Sequence, residues 1–150
     1  MENLKILQFQ IGKSKLVSKV IDGKFPDYKK VVPTNNDKVL IVTSKAFIES
    51  IERVATVSLD RKEGVKIALD KDNVQLSVNS SSSGEGKETL AANYNAENLT
   101  ASFNSRYLLD IASEIEDEMN IVKLKNYLSP VLIQDNSDKY SYYVIMPMKI

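Results

Sequence analysis

The acid–base chemistry open to this sequence is narrow, because its 150 residues contain no histidine and no cysteine. Their absence excludes Ser/His and Cys/His nucleophilic pairs and removes the usual ligands of a zinc site. Carboxylates, lysines and tyrosines remain as possible acids and bases. Glu114, Glu116 and Asp117 form one group that could serve a small carboxylate-dependent hydrolase. A solvated helix end explains that group more simply, so we expect no catalytic residue, metal or cofactor.

Phosphate-binding loops are also missing from the sequence. There is no Walker loop and no G-x-G-x-x-G motif. Gly84-Glu85-Gly86 follows a run of serines and precedes no helical pattern, so we interpret it as a flexible loop. No apolar run approaches the roughly 20 residues that span a bilayer. No secretory signal is visible either, and these features favour a cytoplasmic location.

Two segments carry the apolar spacing of amphipathic helices. One covers residues 44–55, with Thr43 or Ser44 as a plausible N-cap, and the other covers residues 105–115, with Asn104 as the N-cap. Between and after them, apolar residues alternate as in half-buried strands, for example at Val65, Ile67 and Leu69. The last strand is expected to run from about Tyr140 to Met146, before Pro147.

The order of these elements predicts a duplicated domain. From Val39 onward the pattern is strand, helix and several strands, and the same order then repeats. We therefore predict an α+β fold, in which two helices pack on one face of a mainly antiparallel, curved sheet. Residues 1–34 do not fit the duplication, and a polar linker begins at Pro33. We interpret residues 1–34 as the end of a preceding domain and residues 35–150 as a complete domain.

Three stretches resemble a known family: residues 18–33 (SKVIDGKFPDYKKVVP), residues 103–110 (FNSRYLLD) and the terminal residues 143–150 (YVIMPMKI). Together, in this order, they resemble the C-terminal part of the bacterial DNA sliding clamp, the beta subunit of DNA polymerase III. The resemblance implies three similar domains per subunit and two subunits closed into a ring. Residues 1–34 would then end the middle domain, and residues 35–150 would form the third.

The resemblance implies a scaffold rather than an enzyme. Such a ring encircles duplex DNA without reading its sequence. It tethers the polymerase III alpha subunit, the clamp loader and repair polymerases through short Gln/Leu/Phe peptides. The implied peptide cleft consists of Pro26, Lys30, Val31, Asn104, Tyr107, Val144, Ile145, Met146, Pro147, Met148, Lys149 and Ile150. Without the resemblance, a Met-rich terminus of this kind is more often a core edge strand.

The resemblance also implies a DNA-facing surface and a subunit interface. Helices line the hole of the ring, which nominates Lys45, Arg53 and Arg106 as DNA-facing, although ordinary solvated helix faces would look the same. The implied interface with the next subunit includes Thr56, Val57, Ser82, Ser83 and Lys87. An alternative function stays open, namely a free-standing peptide-binding module that keeps the cleft and does not encircle DNA.

Overall fold

The computed structural model describes residues 5–58, 64–138 and 140–149. It contains two α-helices, one 3-10 helix and eleven strands within those ranges. The helices are α1 (Ser44–Ala55), α2 (Ser105–Ala112) and the 3-10 helix Tyr28–Lys30; the strands are β1 (Ile6–Ile11), β2 (Ser14–Lys19), β3 (Lys38–Thr43), β4 (Gly64–Asp70), β5 (Asn73–Ser80), β6 (Gly84–Ala91), β7 (Asn93–Tyr94), β8 (Leu99–Asn104), β9 (Met119–Leu124), β10 (Val131–Asp135) and β11 (Tyr142–Ile145).

The predicted α+β fold with an internal duplication is confirmed. The first half is β3-α1-β4-β5-β6 and the second is β8-α2-β9-β10-β11. The halves exchange their first strands, since β3 pairs with β9 and β8 pairs with β4. The result is one sheet of order β11-β10-β9-β3-β7 and another of order β6-β5-β4-β8, with antiparallel pairing throughout. Neither half could complete its sheet alone.

Helix α1 begins and ends where the apolar periodicity predicts. Phe47, Ile51 and Val54 lie on one stripe and are almost fully buried. Burial of side chains of this size contributes roughly 1.5–3 kcal/mol each. The N-cap residue Thr43 makes no side-chain capping bond. Instead Ser44 ties the helix start to the other half, because its Oγ donates to the carbonyl oxygen of Asp117 at 2.7 Å.

Helix α2 is shorter than predicted. Asn104 caps its start as expected, and its side chain accepts hydrogen bonds from the backbone amides of Arg106 and Tyr107. The periodicity predicted a helix to residue 115, but α2 ends at Ala112. The next residues include several carboxylates between positions 114 and 118. Negative charge at a helix C-terminus opposes the helix dipole, which disfavours continuation.

The segment interpreted as a flexible loop, Gly84-Glu85-Gly86, is in fact the start of β6. Eight successive residues of β6 pair with β5, from Ser80↔Gly84 to Asn73↔Ala91. This ladder overrides the weak intrinsic strand preference of glycine. A Cβ atom on Gly86 would lie 2.8 Å from Cγ2 of Val57. Glycine is therefore the residue that lets the end of α1 approach the strand.

The core lies between the two sheets and the helices. It is built from buried aliphatic and aromatic side chains of both halves, including Leu40, Ile51, Val65 and Phe103. An apolar cavity of about 20 Å³ remains within it, lined by residues such as Phe47 and Ile133. A void of this size is typical of native packing and holds no ligand-sized molecule.

The first described segment differs from the rest. Strands β1 and β2 form a separate two-stranded sheet in which every residue is exposed. Exposed apolar residues lie on both of its faces, with Phe9 53% exposed on one face and Val17 57% exposed on the other. No helix among the described residues is long and apolar enough to cross a membrane.

Candidate peptide-binding cleft and associated surfaces

The C-terminal tail, defined as residues 146–149, leaves the sheet while its side chains remain accessible. Strand β11 ends at Ile145, which is 5% exposed, so the strand is shorter than the predicted segment ending at Met146. Met146 is then 56% exposed and Met148 is 36% exposed. Flexible, polarizable methionine side chains suit an apolar site that accepts varied partners. Ile150 lies outside the described residues.

The tail is attached to the second sheet by one backbone bridge. The amide of Met148 donates to the carbonyl oxygen of Ser102 at 2.7 Å, and the two residues form an isolated antiparallel bridge. The Met148 Sδ atom also lies 3.1 Å from the position a Cβ would take on Gly64. The last strand was expected to end before Pro147, and Met148, which follows that proline, nevertheless forms this bridge.

Two further predicted cleft residues lie at the junction of strand β8 and helix α2. Asn104 lies two residues beyond the Ser102 bridge and caps α2. Tyr107 is 60% exposed in the first turn of that helix. Helix α2 packs against β11, which carries the half-buried Val144. Strand β8 therefore links the bridged end of the tail to the start of α2.

The other predicted cleft residues lie in the segment after β2. Lys30 ends the 3-10 helix, Val31 follows it, and Pro26 precedes it; all three are exposed. The Lys30 ammonium lies 4.0 Å from the carboxylate of Asp27. In the described chain no hydrogen bond or ion pair joins these three residues to the tail. Their place in the cleft stays a prediction.

A groove of about 450 Å³ lies beside the tail, and sequence reasoning missed most of its lining. Its residues come from β8, from the loop after β9 and from the tail: Thr100, Ala101, Ser102, Tyr127, Leu128, Met148 and Lys149. Tyr127 and Leu128 are 58% and 51% exposed. Two exposed apolar residues in a row, within a turn-rich segment, were the sequence signal for this surface.

The candidate DNA-facing cations lie on the helix surfaces and have different surroundings. Lys45 and Arg106 are exposed in the first turns of α1 and α2. Lys45 borders an open groove that also contains Glu116, Asp117 and Glu118. Positive charge is therefore offset by carboxylates along this part of the surface.

Arg53 is held by an ion-pair network. Its guanidinium binds both carboxylate oxygens of Glu88, with Nη2 to Oε2 at 2.8 Å, and its Nη1 lies 3.6 Å from Glu49. The Arg53 guanidinium, followed by the Ser50 hydroxyl, lowers the pKa of Glu88 to about 2. The charge of Arg53 is thus already matched by an acidic residue of β6.

The candidate interface residues meet at the end of α1. Thr56 caps the helix, with its hydroxyl donating to the carbonyl oxygen of Arg53 at 2.6 Å. Val57 follows and lies over Gly86. Lys87 lies next along β6, after the turn with Ser82 and Ser83. Because β6 is the outer strand of its sheet, one row of its backbone groups faces away from β5.

The carboxylates considered for hydrolysis do not form a catalytic arrangement among the described residues. Glu114, Glu116 and Asp117 make no side-chain hydrogen bond or ion pair there. No group of three or more acidic residues that could hold a metal ion is found in the same part of the chain. The backbone of this segment has structural roles, since the Glu116 amide donates to Asp135 at 2.9 Å.

Comparison with protein families gives one match that covers most of the chain. The family described as DNA polymerase III beta subunit, C-terminal domain, matches residues 29–149. The chain belongs to this family.

Curated relatives and solved structures agree with the family match. The beta sliding clamp of Caulobacter vibrioides is 35% identical over 144 residues, which are 96% of this chain and 39% of that protein. The beta sliding clamp of Pseudomonas putida is 31% identical over 139 residues, covering 93% of this chain and 38% of that protein. A sliding clamp from Bartonella birtlesii, solved with griselimycin bound, superposes with a TM-score of 0.86 at 39% identity, covering 97% of this chain and 39% of that chain.

The sliding clamp of Caulobacter crescentus superposes with a TM-score of 0.87 at 34% identity, covering 99% of this chain and 40% of that chain. The chain therefore spans about two fifths of the length of the beta sliding clamps it resembles. The fold predicted from the resemblance is confirmed by these superpositions.

Proposed function

We propose that these residues form the C-terminal domain of a replicative sliding clamp, a ring that encircles duplex DNA and tethers DNA polymerase III and other partners. Residues 1–34 would complete the middle domain, and residues 35–150 would be the third domain. The observation that carries the proposal is the exposed Met146–Met148 tail, joined to β8 beside an open groove. The protein would act without catalysis in the cytoplasm.

The tethering role follows from effective concentration. A polymerase attached to a ring on DNA rebinds its template before it diffuses away. Contact between ring and DNA must be weak and independent of sequence, and contacts to phosphates meet that requirement. A surface on which Arg53 is paired with Glu88 and Lys45 lies near carboxylates offers only weak attraction to phosphate.

The exposed hairpin supports the proposed division of the chain. A two-stranded sheet by itself is marginally stable in water. Apolar residues on both faces of β1 and β2, such as Phe9 and Val17, would be buried if the hairpin completed a larger middle domain. Strand β6 would similarly use its free edge, with Val57 and Lys87 nearby, to join a second subunit in a ring-shaped homodimer.

The proposed cleft would bind short peptides with Gln and Leu/Phe anchors. Polymerase III alpha, the clamp loader and repair polymerases would each present such a peptide. Met146, Met148 and Val144 would contact the apolar anchors, while Tyr107 offers an apolar face with a polar tip. Asn104, which caps α2, would border the same surface.

The test is a titration of a Gln-Leu-x-Leu-Phe peptide against the chain and against a variant that lacks residues 148–150. Each buried aliphatic anchor contact contributes roughly 1.5–3 kcal/mol, so losing two should weaken binding about 100-fold or more. The deletion also removes the Met148–Ser102 bond, which costs roughly 0.5–1.5 kcal/mol of stability. We therefore expect a small fall in melting temperature and a large fall in affinity.

The matched control is Tyr140→Ala, because Tyr140 is 95% exposed and lies before β11. This variant should bind the peptide like the unaltered chain. Equal affinity of the tail deletion and the unaltered chain would show that the tail is not part of the cleft. A collapse of the melting temperature on deletion would show that the tail is a structural strand instead.

A further inference from the structure

The sulfur atoms of this chain belong to methionine alone. The sequence has no cysteine and four methionines, of which Met119, Met146 and Met148 lie in the described residues. An oxidant that attacks sulfur therefore acts on methionine side chains and meets no thiol that would react first. Two of the three lie in the tail with one proline between them, so the sulfur of the described residues is concentrated at the proposed cleft.

The two tail methionines are open to small oxidants. Met146 is 56% exposed and Met148 is 36% exposed. Met119 differs, because it is half-buried and its Sδ accepts a hydrogen bond from the Thr43 hydroxyl at 3.8 Å. A sulfur that is partly covered and already accepts a hydrogen bond reacts more slowly with peroxide than an open one. We therefore expect the tail to be oxidised before Met119.

The packing of the Met148 sulfur makes oxidation disruptive at that position. Its Sδ lies 3.1 Å from the position that a Cβ would take on Gly64, so the sulfur packs against the backbone of that glycine. The Met148 amide is held at the same time by the carbonyl oxygen of Ser102. An oxygen atom bound to the sulfur cannot point toward Gly64 without displacing the side chain. Oxidation therefore either presents a polar S=O group on the open side of the tail or moves Met148 away from β4.

Oxidation also changes the chemistry of the surface that would hold a partner peptide. Methionine sulfoxide is polar and chiral, whereas the thioether is flexible and apolar. In the proposed cleft Met146 and Met148 contact the Leu and Phe anchors, which offer no hydrogen-bond donor to a new oxygen. Because burying an unpaired polar group is unfavourable, each sulfoxide should weaken peptide binding.

We propose that Met146 and Met148 form a reversible oxidation site that releases partner peptides from the tail. In the forward step the sulfur attacks one oxygen of hydrogen peroxide; the S–O bond forms, the O–O bond breaks, and the second oxygen leaves as water. The sulfur loses two electrons and the peroxide gains them. In the reverse step a methionine sulfoxide reductase removes the oxygen as water while two thiols are oxidised to a disulfide. This inference rests on the proposed peptide-binding function and adds its regulation.

The test measures peptide affinity before oxidation, after oxidation and after repair. The chain is treated with hydrogen peroxide, catalase removes the excess, and tandem mass spectrometry locates the added oxygen at each methionine. A Gln/Leu/Phe-anchored peptide that contains no sulfur is then titrated against each form. We expect Met146 to gain oxygen before Met119 and the affinity to fall about tenfold or more. Reductases for both sulfoxide epimers, supplied with dithiothreitol, should restore it.

Leucine variants assign the effect to the tail. Leucine has nearly the volume of methionine and carries no sulfur to oxidise. The double variant Met146→Leu with Met148→Leu should keep its own starting affinity, whatever that is, after peroxide treatment. Met119→Leu is the matched control and should lose affinity on oxidation as the unaltered chain does. Met1 is present in every form, so its oxidation cannot explain a difference between them.

The outcomes separate this inference from the proposed function. If the unoxidised chain binds the peptide and the chain with both tail sulfoxides binds it equally well, this inference is overturned alone. It is also overturned alone if the double leucine variant loses as much affinity as the unaltered chain, or if a thermal melt shows that the oxidised chain is unfolded at the assay temperature. If the unoxidised chain does not bind the peptide at all, both proposals fail together.

Discussion

Asn120 is a polar side chain placed where the fold expects an apolar one. It is 1% exposed, and among the described residues neither its amide nitrogen nor its amide oxygen has a hydrogen-bond partner. Its neighbours across the sheet are Val42 and Asp135. The Asp135 carboxylate is already engaged by Ser137 and by the Glu116 amide. The internal duplication shows that an apolar residue fits this position, because the residue of β4 equivalent to Asn120 is the fully buried Val65.

The equivalence of the two positions follows from the strand registers. Met119 pairs with Thr43, the N-cap of α1, and Asn120 pairs with the residue before it. In the other half, Gly64 pairs with Asn104, the N-cap of α2, and Val65 pairs with the residue before that cap. The fold therefore already accommodates valine at this place in one of its two sheets.

We expect Asn120→Val to stabilise the chain by about 1–2 kcal/mol. Leaving a buried polar group without a partner costs roughly 1–3 kcal/mol, and repacking around a new side chain usually costs less than about 1.5 kcal/mol. Valine also suits a strand better than asparagine. For a chain of this size each kcal/mol shifts the melting temperature by roughly 2–4 °C, so a rise of about 2–8 °C is expected.

The assay is thermal and urea unfolding of Asn120→Val beside Asn79→Val. Asn79 is exposed on β5, so its replacement changes strand preference without relieving a buried amide. A gain at position 120 that clearly exceeds the gain at position 79 is the expected result. If Asn120→Val is less stable than the unaltered chain, the amide has a partner, such as a buried water, and our account of its cost is wrong.

Three other results are expected. Gly86→Ala should destabilise the chain by about 1–3 kcal/mol in urea unfolding, because a Cβ there would lie 2.8 Å from Val57 and 3.1 Å from the carbonyl oxygen of Val54; an unchanged midpoint would contradict this close contact. Arg53 lowers the pKa of Glu88 to about 2, so the stability from this pair should be fully present above about pH 4.5 and be lost as the pH falls toward 2. Glu88→Gln should therefore lose less stability than the unaltered chain between pH 5 and pH 3, and identical acid titrations would refute this. Finally, the 150 residues carry no net charge, so they should bind linear duplex DNA weakly and with steep salt dependence, whereas submicromolar binding at physiological salt would contradict the expectation.

The sequence by itself determined the elements whose signals are local. The apolar stripe of α1 and the Asn104 cap of α2 depend on residues within one or two turns, and both are found where the pattern places them. Alternation likewise located strands such as β4, because a half-buried strand shows its buried face in its own residues. The resemblance of three short stretches led to the family, which the family match confirmed. The cleft, the DNA-facing surface and the interface stay predictions.

Tertiary structure decided the features that depend on residues far apart in the chain. Strand β6 exists because β5 pairs with it along its whole length, despite two glycines and a serine-rich approach. Arg53 pairs with Glu88, thirty-five residues away, so the sequence of α1 alone could not show that the positive charge of Arg53 is neutralised. The Met148–Ser102 bridge attaches the tail across a still longer separation in sequence, although Pro147 signals the end of a strand. A local sequence pattern reflects the conformational preference and the buried face of one segment. Strand pairing, ion-pair geometry and buried polar groups without a partner, such as Asn120, depend instead on which distant segment packs against that one.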